Sequence, residues 1–230
     1  MARNSVKYWE RISSVYAGYL KKNKKCYNEL CKEIKENLEP GMLVLELSCG
    51  SGMITKKLAD SVLEWTATDP SPKNLQNARK LYRKNKGRGT NFRIESFGSI
   101  KYESSTFDAV VLPNALQVME APDKALKEIC RVLRPGGMII APTFVFDRDY
   151  SIAQTIKMNV TGFKMKNKWT SDELAEFVEK YGFIVETQHL IEGKPVDECL
   201  IVAKKKTARD SVKEGGKTVI GSLINLASKK

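Results

Sequence analysis

The residues able to do chemistry cluster in Val44-Leu45-Glu46-Leu47-Ser48-Cys49-Gly50-Ser51-Gly52. A short apolar run stops there at a glycine-rich turn, and Met53–Ala59 follows with helical character. Gly50 and Gly52 let the backbone turn tightly and approach a ligand where a Cβ would collide. The helix behind them offers unpaired N–H groups at its N-terminus. Asp69 ends the next apolar run, 19 residues after Gly50. A carboxylate at that position can accept hydrogen bonds from both hydroxyls of a ribose. Two common phosphate-binding patterns do not fit. A G-x-G-x-x-G fingerprint starting at Gly50 would put its third glycine on Thr55, and one starting at Ser48 lacks its first. No G-K-[ST] follows the turn, which excludes a P-loop.

The elements that must hold these residues alternate. Two helices are expected first. One has Ile12, Val15, Tyr16 and Tyr19 at helical spacing; the other has Tyr27, Leu30, Cys31, Ile34 and Leu38 on one face and ends at Pro40-Gly41. Strands are then expected at Met42–Leu47, Leu63–Thr68, Asn91–Ser96, Phe107–Leu112 and Met138–Ala141. Helices lie between them at Pro72–Tyr82 and Ala121–Leu133, and Arg134-Pro135-Gly136-Gly137 reads as a turn. Ser171–Tyr181 is a further helix, opened by the capping residues Thr170 and Glu173. Phe183–His189 and Glu198–Ala203 close the chain as an antiparallel hairpin at the sheet edge. Strands alternating with helices imply a parallel sheet, and strands apolar throughout imply that both faces are covered.

Charge and cysteine content bound the class. The net charge is +12, with nine lysines and arginines against one acid in residues 71–101, and eight against two from Lys204 to Lys230. Such fields attract nucleic acid, anionic lipid or acidic substrates. No aromatic residues interleave with the charge in the pattern of a nucleic-acid surface, so a solvated basic surface is favoured. Five cysteines with no C-x-x-C pair argue against a disulfide framework and against a zinc site, and no metal is expected. No apolar run approaches the roughly 20 residues that span a bilayer. The N-terminus lacks a signal-peptide core, so a cytoplasmic location is expected.

Four segments carry a resemblance. Glu46-Leu47-Ser48-Cys49-Gly50-Ser51-Gly52, Ala67-Thr68-Asp69-Pro70-Ser71, Thr106-Phe107-Asp108-Ala109-Val110-Val111 and Leu133-Arg134-Pro135-Gly136-Gly137 stand in the order and spacing of small class I S-adenosylmethionine-dependent methyltransferases. The chain is most similar to the group related to ubiquinone/menaquinone-biosynthesis C-methyltransferases. Motifs carry the likeness over roughly residues 8–142.

The resemblance implies a Rossmann-like fold with a seven-stranded, mostly parallel sheet and S-adenosyl-L-methionine as cofactor. Glu46 would face the cofactor's amino acid end, the Ser48–Gly52 backbone would line its methionine and ribose, and Asp69 would hold the ribose hydroxyls. Pro70 would flank the adenine. Ser96 and Phe97 stand where the family reads the adenine edge, and Asn114 would sit near the methionine moiety and the acceptor. Two departures stand out: Ser48 replaces the usual first glycine, and Ser96 stands where many relatives carry an aspartate. An uncharged serine makes a weaker acceptor than a carboxylate.

Each residue also has a structural reading. Glu46 would be a strand-end carboxylate, Asp69 a helix N-cap, Asn114 a turn residue, Ser96 structural, and Cys49 a small packing residue. His189, the single histidine, is read as structural. Transfer from a sulfonium needs orientation and exclusion of water rather than a nucleophilic side chain, so no catalytic base is assigned. Tyr16 and Tyr19 are placed to close over the pocket, and Asp147–Lys168 is where acceptor specificity is expected.

The expected division is a helical cap over residues 1–40, the cofactor domain over 41–206 and a basic tail over 207–230. The expected acceptor is a small molecule. Rival readings are an RNA or lipid methyltransferase, or a non-catalytic cofactor-binding module. Leu112-Pro113-Asn114-Ala115 lacks the Pro-Pro-aromatic sequence of exocyclic base-amine methyltransferases, which lowers the nucleic-acid reading. An apolar stripe in Val219–Leu226 would permit peripheral membrane contact through the tail.

Overall fold

The structure, a computed structural model, describes residues 3–84, 89–149, 165–194 and 196–210. Helices α1 (Arg3–Lys22) and α2 (Lys24–Glu36) lead into strand β1 (Leu43–Glu46). Then come α3 (Thr55–Leu58), β2 (Glu64–Thr68), α4 (Pro72–Lys84), β3 (Thr90–Arg93) and β4 (Phe107–Val111). The chain continues through α5 (Pro122–Val132), β5 (Leu133–Val145), α6 (Ser171–Glu179), β6 (Phe183–Ile191) and β7 (Asp197–Lys205). The seven strands form one sheet in the order β3-β2-β1-β4-β5-β7-β6. β1 to β5 pair in parallel, whereas β7 runs antiparallel to both β5 and β6. The closing hairpin is thus at the edge as expected, with its second strand placed inside its first.

Alternation along each strand builds two cores. Leu45, Val110, Ile139 and Ile201 point to the face covered by α5 and α6. Val44, Trp65, Ala109, Ile140 and Leu200 point to the face covered by α2, α3 and α4. Each helix presents one apolar stripe to its face: Leu30, Cys31 and Ile34 from α2, and Ala125, Leu126, Ile129 and Val132 from α5. α6 begins in a reciprocal capping box, with Thr170 and Glu173 each satisfying the other's backbone N–H.

Three expectations are corrected. Arg134-Pro135-Gly136-Gly137 is not a turn between elements: β5 runs from Leu133 to Val145 through it. The β4–β5 register shifts between Phe107 and Ala109, and the glycines absorb the irregularity. Gly136 takes φ +75°, and a Cβ on Gly137 would lie 3.0 Å from the carbonyl oxygens of Arg134 and Asp108. The third strand stops at Arg93, so Ser96 lies outside it in an isolated bridge to Ser99. The helix after the glycine turn is a single turn, Thr55–Leu58, followed by a 3-10 turn at Ala59–Ser61. The suggested Val219–Leu226 helix, the 211–230 part of the tail and most of the Asp147–Lys168 segment lie outside the described residues.

Asp108 pins the bulge. Its Oδ2 accepts from the Leu43 N–H at 2.8 Å and its Oδ1 from the Arg134 guanidinium at 2.5 Å, tying β1, β4 and β5 together. Replacing Asp108 by alanine leaves the Leu43 N–H without its acceptor. Urea unfolding of Asp108→Ala is expected to show a loss of about 1–3 kcal/mol. A change under about 0.5 kcal/mol would remove Asp108 from this role.

Candidate active site

β1, β2 and β4 end side by side, and the loops leaving their carboxyl ends meet in one cleft. Its walls are the Ser48–Ser51 turn, Met53, Ile54, Asp69, the Pro113–Ala115 segment, and Ser13 and Tyr16 from α1. This is where an open α/β sheet places its ligands.

The glycine turn is left-handed at three residues: Ser48 at φ +58°, Gly50 at +56° and Gly52 at +78°. The two glycines differ in purpose. A Cβ on Gly52 would come within 2.8 Å of the Ala78 Cβ and 2.9 Å of its Cα, so Gly52 lets the loop lie against α4. A Cβ on Gly50 would meet Ser13 Oγ at 2.8 Å, so Gly50 lies under α1, at the cleft.

Asp69 is the hub of the site. Its Oδ2 accepts from the Gly50 N–H at 3.0 Å, and its Oδ1 accepts from the Ser71 N–H at 2.9 Å and from Asn74 Nδ2 at 3.1 Å. Burial raises its pKa, and these three donors oppose the shift. The carboxylate therefore fastens the β1 loop to the start of α4 while standing in the wall of the cleft. It is not the cap of α4: Ser71 takes that position, its Oγ accepting from the Asn74 N–H at 3.2 Å.

Glu46 is wholly buried and lies outside the cleft wall. Its Oε2 accepts from Thr55 Oγ1 at 2.5 Å and Trp65 Nε1 at 2.9 Å, bracing β1 against α3 and β2, while Oε1 has no hydrogen-bond partner. Burial lifts its pKa to about 7. Ser48 stands in the wall, and its buried Oγ has no partner. Cys49 also lines the cleft, but burial drives its thiol pKa well up, which suits a packing group. Pro70, Ser96 and Phe97 do not reach the wall; Phe97 instead packs into the core under α5.

Asn114 is in the wall, at φ +47°, held by its N–H on the Pro142 carbonyl at 2.8 Å. Its amide donates to the Tyr16 hydroxyl at 2.8 Å and to Glu198. Glu198, on β7, is the residue that sequence reasoning missed. It is 1% exposed, and its Oε2 has no partner. Burial raises its pKa to about 7, against the hydrogen bonds from Asn114 and Tyr16. The available signal was an acidic pair, Asp197-Glu198, opening an otherwise apolar strand.

α1 leans over all of this. Besides Ser13 and Tyr16, Glu10 Oε1 accepts from Ser71 Oγ at 2.9 Å. The cleft holds about 40 Å³ of water-accessible space and is partly open to solvent.

Comparison with known proteins now bears on the cleft. Residues 45–141, which hold the turn, Asp69 and Asn114, match the family model described as a methyltransferase domain. The chain is similar to the demethylmenaquinone methyltransferase of Leptospira interrogans, 34% identical over 49% of this chain and 47% of the relative. It is also similar to the ubiquinone biosynthesis O-methyltransferase of Methylocella silvestris, 30% identical over 45% of this chain and 40% of the relative. The chain spans less than half the length of these relatives. Among solved structures it superposes on the magnesium protoporphyrin IX methyltransferase of Synechocystis PCC 6803 with bound S-adenosylhomocysteine, at a TM-score of 0.61. That match has 14% identity and covers 80% of this chain and 83% of the other, a likeness of fold.

The two buried glutamates fix a pH dependence. Both hold their protons more tightly folded than unfolded, so from about pH 4.5 to about 7 the unfolded chain binds fewer protons. Stability therefore falls as pH rises through that window and levels off above it. Glu198→Gln removes one of the two titrations while keeping the side chain's shape. Denaturation from pH 5 to 8 is expected to give a flatter curve for the variant, with a gain of roughly 1–3 kcal/mol over the parent at pH 8. Parallel curves would show that Glu198 is ionised at no such cost.

Proposed function

We propose that the chain transfers a methyl group from S-adenosyl-L-methionine to a small-molecule acceptor, by alignment rather than by covalent catalysis. The observation that carries this is the Asp69 carboxylate, fixed by three donors and set in the wall beside the left-handed turn. A carboxylate accepts about four hydrogen bonds, so Oδ2 keeps capacity for a ribose hydroxyl. Ser48 Oγ, buried and partnerless, adds a second polar group fitted to a hydroxylated ligand. Glu46 would turn its partnerless Oε1 toward the ligand's ammonium from beneath the loop. Pro70 would flank the adenine, and Ser96 and Phe97 would come into play at its edge only with a wider cleft.

Bound there, S-adenosylmethionine supplies a methyl group already activated on a sulfonium. The residues of the chain have two tasks. The Ser48–Ser51 turn and Asn114 set the direction of approach, and orientation of this kind lowers barriers by up to ~7–11 kcal/mol. Tyr16, closing from α1, excludes water. Tyr16 is held neutral, since burial and the nearby Glu198 raise its pKa well up. In this reading residues 1–40 cap the cofactor domain 41–206, and residues 207–230 form a basic tail.

The relatives' names support a small organic acceptor, one being named for demethylmenaquinone and another for O-methylation in ubiquinone biosynthesis. Fold alone would not carry the point, because unrelated reactions share this architecture. Among the described residues no helix is long and apolar enough to cross a membrane.

The test is transfer of tritiated methyl groups into a metabolite extract, with and without RNase and lipid extraction. Label is expected in small molecules and is expected to survive RNase. Asp69→Asn is expected to lower incorporation roughly 10- to 100-fold, about 1.4–2.7 kcal/mol of lost binding. Label confined to RNA or lipid would replace the acceptor class. Full activity in Asp69→Asn would overturn the site.

A further inference from the structure

A second cavity, of about 650 Å³, opens on another face of α1, beside the first cleft. Its volume lies within the ~300–1,000 Å³ that small-molecule sites occupy. Four helices and the glycine turn wall it: α1, α2, α3, α4 and the segment bearing Ser51 and Met53. Ser51 and Met53 also line the cofactor cleft, so a single layer of loop separates the two spaces.

The lining divides by chemistry. Lys21, Lys24 and Lys56, from three different helices, line it, and among the described residues that line it none is acidic. Asn28 and Asn77 add amide donors at the rim. Leu20, Met53 and Leu81 supply an apolar floor. A cationic head region over an apolar floor suits a ligand with an anionic end and an apolar body.

Two features of the helices have no internal explanation. Gly18 sits in the interior of α1, where glycine is less favourable than alanine. Among the described residues no atom lies within 4 Å of the place its Cβ would take, so none of them requires a glycine there. It lines this cavity, and a side chain on it would project into open space. The second feature is the start of α2. Lys24 and Lys25 open the helix at the positive end of its dipole, with no acid in the first turn and no side-chain cap from Asn23. Cations there are disfavoured by the helix dipole. A bound anion would reverse that penalty.

We infer that this cavity binds a small amphiphilic anion, a carboxylate or phosphate on an apolar body, which presses on the cofactor loop from behind. The anion pairs with Lys21, Lys24 and Lys56, and the apolar body lies on Leu20, Leu81 and the bare face of α1 at Gly18. The inference does not depend on the proposed methyl transfer, because it is read by binding alone.

The probe is decanoate below its micelle concentration, titrated into the full chain and followed by calorimetry and by thermal shift. 1-Decanol carries the same chain without charge, and inorganic phosphate carries charge without a chain. Decanoate is expected to saturate at one site and to bind at least roughly tenfold more tightly than either control. Gly18→Leu removes a helix-interior glycine and puts an isobutyl group on the face that the apolar body would cover, so it is expected to fold and to weaken decanoate at least roughly tenfold. Lys21→Glu/Lys24→Glu is expected to weaken decanoate at least roughly tenfold and leave 1-decanol unchanged. S-adenosylhomocysteine binding is expected to persist in Gly18→Leu. Equal binding of decanol, or decanoate binding unchanged in Gly18→Leu, would overturn the inference. So would retention on phosphatidylglycerol vesicles with no binding of monomeric decanoate.

Discussion

One buried carboxylate organises the site. Asp69 must leave water to stand where β2 ends, and burial raises its pKa. The N–H groups of Gly50 and Ser71 and the amide of Asn74 offset that cost. In doing so they fix the β1 loop, the β2 terminus and the first turn of α4 as one unit. Removing the charge would loosen three segments at once. The parallel sheet is what makes this possible, since it brings the carboxyl ends of β1, β2 and β4 to the same edge.

Two further carboxylates sit at that edge with less support. Glu46 and Glu198 each retain a buried oxygen without a partner. Such atoms are costly in a low-dielectric interior, and proteins keep few of them. Glu46 braces the loop from below, and Glu198 holds Asn114 and Tyr16 from the β7 side. Neither stands in the cleft wall; both support residues that do. α1 adds a further wall through Ser13 and Tyr16.

Much of this was legible in the sequence, for local reasons. Apolar runs alternating with helical patterns announced the parallel sheet, and Asp69 could be singled out because its strand and the glycine turn lie close in the chain. What could not be read depends on distant partners. Gly52 is explained by Ala78 on α4, not by a ligand. Arg134-Pro135-Gly136-Gly137 has every local mark of a turn, yet pairing with β4 draws it into a strand. Glu198 meets Asn114 across 84 residues of chain, and only the antiparallel placement of β7 beside β5 brings them together. Ser96 was placed by extending a strand that in fact ends at Arg93.

The central claim is that this edge of the sheet grips an adenosyl ligand. Calorimetric titration of the intact chain with S-adenosylhomocysteine tests it most directly. Saturable binding at one site, competed by S-adenosylmethionine, is the predicted result. Absence of saturable heat and of any thermal shift at millimolar ligand would contradict it.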